Sequence, residues 1–70
     1  MAIHKLFVKG MSHPGDCEKI GHALRQVFGI QEVTINYHDA EVTVSYDERA
    51  ASLHDFQQAI DDCGFQATAE

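Results

Sequence analysis

The sequence predicts an α+β fold of order βαββαβ: a four-stranded antiparallel sheet with two helices on one face. Three observations predict it. Alternation of apolar and polar residues marks residues 2–9 and 31–46 as extended. Two stripes with apolar residues three and four apart lie between and after these, and leave room for one more short strand. A glycine closes each stripe, Gly29 and Gly64. The chain has 70 residues, 44% hydrophobic and 23% charged, which suits one small soluble globular domain covering residues 1–70.

Each element has its own warrant. Leu6 and Val8 alternate with Phe7 and Lys9 and the run stops at Gly10, so residues 2–9 form the first strand. Cys17, Ile20, Leu24 and Val27 make the stripe of the first helix, with Glu18, His22, Arg25 and Gln26 on its wet side. Val33, Ile35 and Tyr37 share one face of the next strand. A polar turn follows at His38, Asp39 and Ala40, and Val42, Val44 and Tyr46 mirror the first arm, so residues 31–46 read as a hairpin. Ser52 followed three residues later by Asp55 has the form of a capping box ahead of the stripe Leu53, Phe56, Ile60 and Cys63. Residues 65–69 form a short edge strand.

With right-handed crossovers this order is the ferredoxin-like, or split βαβ, arrangement. Counting strand directions then brings three connections to one end of the molecule: Gly10 to Asp16, the hairpin tip at His38 to Ala40, and the turn at Cys63 to Phe65. Any site at that end draws on all three.

Charge and composition exclude several functions. Five Lys and Arg against eleven Asp and Glu give a net charge of -6, which repels nucleic acid and anionic lipid surfaces. Two Cys are too few for a disulfide scaffold, and the first residues carry no long apolar run, so a reducing cytoplasm is the expected location. No phosphate loop, nucleophile elbow or paired helical histidines occur, and an enzyme is not expected. Five His and two Cys in so short a chain are metal-binding side chains.

The segment Gly10-Met11-Ser12, a helix start with Ile20, then Gly29-Ile30, Val33, Val42 to Tyr46-Asp47, Ala59-Ile60 and Gly64-Phe65 resembles a heavy-metal-associated domain over the whole chain. That family includes small copper chaperones and N-terminal domains of metal-transporting ATPases. Its loop is Gly-Met-Thr-Cys-x-x-Cys, whose two thiolates bind a soft ion, typically Cu(I). Here the resemblance places His13 on the first cysteine and Asp16 on the second, with Cys17 one residue beyond, so the motif reads HxxDC.

Imidazole and carboxylate are harder ligands than thiolate and suit Zn(II), Cu(II), Ni(II) or Co(II). Cys17 begins the first helix and Cys63 ends the second, and topology makes them neighbours beside the same loop. The expected metal set is therefore His13, Cys17 and Cys63, with Asp16 as a fourth or outer ligand, holding Zn(II), or copper as Cu(I) or Cu(II). Each residue has a competing role. Cys17 and Cys63 also fit core packing. Asp16 fits the positive end of a helix dipole, and His13 a solvated loop or N-cap. Met11 fits as a core plug, and His38 at the hairpin tip as a ligand or a partner contact.

The resemblance implies a metallochaperone-like module that passes its ion to a metal-transporting ATPase or another acceptor. Two alternatives stand beside it. One is a family member without metal that serves protein interaction or homodimer formation through Phe7 on the outer sheet face. The other is a thiol redox switch through Cys17 and Cys63.

Overall fold

The computed structural model describes residues 1–69. Its elements are β1 (Ala2–Lys9), α1 (Pro14–Arg25), β2 (Ile30–Asn36), β3 (Glu41–Tyr46), α2 (Leu53–Asp62) and β4 (Gln66–Ala69). The strands form one antiparallel sheet in the order β2-β3-β1-β4. This is the βαββαβ ferredoxin-like fold that the alternation and the helical stripes predict.

Period-two alternation decides which face of the sheet is buried. Leu6 and Val8 on β1 and Val42, Val44 and Tyr46 on β3 turn inward, and Ile20 and Leu24 of α1 with Phe56 and Ile60 of α2 cover them. Each fully buried side chain of this size contributes about 1.5–3 kcal/mol relative to exposure. Tyr46 and Phe56 meet at a ring-centroid distance of 4.8 Å, and the His4 ring stacks over the same Tyr46 at 5.9 Å. The opposite sheet face carries no helix and leaves Ile3 63% exposed and Phe7 38% exposed.

Pro14 opens α1, since a proline at the first helical position needs no N–H partner, and Asp16 falls in the first turn. Boundaries differ from expectation in two places. The first helix ends at Arg25, well before Gly29. Gln26 and Val27 donate to the carbonyls of Ala23 and Leu24, tightening the last turn, while Val27 still packs on the core. Tyr37 leaves the strand and is exposed, because the turn begins at Asn36 and passes through Ala40 at φ 56°.

The three expected connections do share one end. Val8 N–H donates to the Ala40 carbonyl at 2.9 Å, which ties the hairpin tip to β1. Lys9 pairs with Gln66, which brings Gly64 and Phe65 beside Gly10. Gly10 has φ +104°, a backbone conformation that favours glycine, and a Cβ there would stand 3.3 Å from the Phe65 ring, a tight contact.

Candidate metal centre

The β1–α1 connection is short, Gly10 to His13, and its shape is set by one carboxylate. Asp16 stands in the first turn of α1, where backbone N–H groups lack helical partners. Its Oδ2 accepts the N–H of Ser12 at 3.0 Å and the N–H of His13 at 3.2 Å. In return Asp16 N–H donates to the His13 carbonyl at 3.0 Å. The Ser12 N–H is the main influence holding this carboxyl below the ordinary aspartate range. Partial desolvation opposes it, and the His13 N–H and the charges of Lys19 and His13 add to it.

The other expected donors take separate positions around this loop. His13 is the N-cap of α1, with extended backbone at φ -137° and ψ 149°, and is exposed. Cys17 follows one turn later and is half-buried. Cys63 is the C-cap of α2, also half-buried, and its Sγ lies 4.0 Å from the Lys19 carbonyl oxygen on α1. Both thiols are free. Met11 packs against the core, His38 is exposed at the hairpin tip, and His22 lies 2.7 Å from the Gln26 amide nitrogen on the outer face of α1.

His13, Asp16, Cys17 and Cys63 thus belong to one end of the fold without forming a closed cage. Among the described residues no three His, Cys, Asp or Glu side chains are grouped to hold an ion. Oδ2 of Asp16 is turned back onto backbone, and the Cys63 sulfur is turned toward a carbonyl. Two contacts escaped sequence reasoning, Asp16 with Ser12 and Cys63 with Lys19. The first has a signal in the sequence, since His13-x-x-Asp16 has the same spacing as the capping box Ser52-x-x-Asp55.

A family model described as the heavy-metal-associated domain matches residues 5–66. The chain belongs to that family.

Solved structures agree on the fold of this heavy-metal-associated domain. A copper-binding domain from HMA7, a P-type ATPase, superposes with a TM-score of 0.97 at 23% identity, covering 100% of this chain and 95% of that one. The CopZ metallochaperone gives 0.92 at 25% identity, covering 96% and 100%. The yeast copper transporter domain CCC2A, solved in apo and Cu(I)-loaded states, gives 0.90 at 26% identity, covering 97% and 93%. No curated protein matches the chain. No helix among the described residues is long and apolar enough to cross a membrane.

The domain departs from its family at the loop. Where two thiols stand in the family motif, this loop offers the His13 imidazole and the Asp16 carboxylate, with a single thiol at Cys17. A linear two-thiolate site within the loop is therefore not open to this chain.

Proposed function

We propose that this heavy-metal-associated domain carries one soft or borderline metal ion as cargo at its β1–α1 end and passes it to a partner by ligand exchange. The family match over residues 5–66 supports this reading, together with the positions of His13 at the start of α1, Cys17 in its first turns and Cys63 at the end of α2, beside the loop to which the resemblance assigns the ligands. In this proposal His13 and Cys17 are the loop donors and Cys63 joins from the end of α2. One nitrogen with one or two thiolates suits Zn(II) and Cu(II), and Cu(I) at low coordination number, with Ni(II) and Co(II) as weaker candidates. Binding releases thiol protons, so affinity rises with pH.

The acceptor is a metal-transporting ATPase domain or another metal protein with a basic face. Similar structures come from a P-type ATPase and a metallochaperone, and the net charge of -6 favours a positive partner in a transient encounter. The activity is binding and transfer rather than catalysis, in a reducing compartment such as the cytoplasm, where free thiols persist. Native mass spectrometry of the reduced protein with Zn(II), Cu(I), Cu(II), Ni(II) and Co(II) tests it. A one-to-one adduct that is lost in His13→Ala and Cys17→Ala is the expected result. If none of the five ions gives such an adduct, the proposal is wrong.

A second reading has one observation in its favour. Ile3 and Phe7 are exposed on the helix-free sheet face, as in a domain that binds protein or self-associates. Under that reading the loop variants leave association unchanged, and Ile3→Ser shifts the sedimentation coefficient.

A further inference from the structure

We infer that Asp16, at the second ligand position of the family loop, is a positioning residue that shapes the loop around His13 and contributes no bond to the ion. The inference rests on the metal-carrying reading and sharpens the class of ion it admits.

Hydrogen bonding is the first support. Oδ2 of Asp16 already accepts from Ser12 and His13, and those bonds close the loop and satisfy the exposed end of α1. The fold supplies an internal control in its second half. At the same point of α2, Asp55 Oδ2 accepts the Ser52 N–H at 2.9 Å, and Asp55 N–H donates to the Ser52 carbonyl at 3.0 Å. Both helices begin with an aspartate closing on a residue three positions earlier. Asp55 does so at the start of α2, away from the β1–α1 connection, so the arrangement needs no ion to account for it.

Electrostatics points the same way. A cation bound to Asp16 would compete with the two N–H groups already directed at its Oδ2. With Asp16 withdrawn, the available donors are imidazole and thiolate, which discriminate against the hard, oxygen-seeking ions Mg(II), Ca(II) and Mn(II). The second family cysteine has thus been exchanged for a brace, and the ion selected is thiophilic.

Co(II) is the probe, because its visible and charge-transfer bands report the donor set. Asp16→Ala, Asp16→Glu and Asp55→Ala are compared with the parent protein by Co(II) titration and by amide hydrogen exchange of the metal-free protein. For Asp16→Ala we expect an unchanged spectrum at saturation, an affinity lower by about three- to tenfold, and faster exchange at Ser12 and His13. Asp16→Glu restores affinity and protection, since glutamate also closes a capping box. Asp55→Ala leaves Co(II) affinity unchanged. A changed spectrum for Asp16→Ala at saturation, or unchanged exchange at Ser12 and His13, overturns the inference. A parent protein that takes no ion defeats the metal-carrying reading separately. Exchange in Asp16→Ala then still decides the brace: faster exchange supports it and unchanged exchange removes it.

Discussion

The backbone N–H of Asp47 donates to the carbonyl of Gly29 at 2.9 Å, joining the turn that follows α1 to the loop that leads into α2. This bond lies at the end of the fold opposite the candidate metal centre. Gly29 has φ +97°, and a Cβ there would stand 2.8 Å from the Ala50 Cβ. The two loops are therefore packed as one unit that only glycine permits.

Gly29→Ala meets two penalties at once. A left-handed backbone costs an ordinary residue about 1–2 kcal/mol, and the overlap with Ala50 adds to it. We expect a loss of about 2 kcal/mol or more by urea denaturation. A loss below about 0.5 kcal/mol would mean that this junction yields freely.

Asp47 gives the pH prediction. Its carboxyl is held below the ordinary aspartate range, chiefly by the Arg49 N–H at 3.0 Å and then by the Arg49 side chain. A lowered folded-state value stabilises the fold above the ordinary aspartate pKa, and that stabilisation is lost as pH falls through the lowered value. Asp47→Asn should be less stable than the parent at neutral pH, with the difference shrinking below about pH 4. Denaturation midpoints across the acid range check this, and a constant difference would refute it.

Phe56 is fully buried against Tyr46. Truncation to alanine should cost about 3–5 kcal/mol, a large share of the stability of so small a domain. Circular dichroism of Phe56→Ala at ambient temperature should show a substantial unfolded fraction, and Phe56→Leu a smaller one.

Cys63 is the donor most distant in sequence from the loop. If it joins the ion, Cys63→Ser lowers Co(II) affinity by at least about tenfold and reduces the sulfur charge-transfer intensity. If its role is only contact with α1 near Lys19, both readouts stay at parent values.

Most of the architecture was legible because burial follows simple periods. Leu6, Val8, Val42 and Val44 are buried where period two requires, and Ile20, Leu24, Phe56 and Ile60 where helical spacing requires. Errors fell where a backbone conformation outranked the stripe. Val27 keeps its apolar contact after the helix has ended, and Tyr37 is exposed by a turn that the alternation runs through.

The site was legible in part. Topology put His13, Cys17 and Cys63 at one end, since that follows from strand direction alone. It did not show that Oδ2 of Asp16 faces Ser12, or that the Cys63 sulfur faces the Lys19 carbonyl. Which partner a polar atom takes depends on backbone groups that no periodicity describes.

β1 is an interior strand whose second neighbour, β4, comes from residues 66–69. The pairing of β1 with β4 therefore spans almost the whole domain, a non-local contact whose loop-closure cost must be met before it forms. A change that loosens β4 from β1 would disturb the junction of Gly10 with Phe65 as well, so the shape of the loop depends on a strand more than fifty residues away.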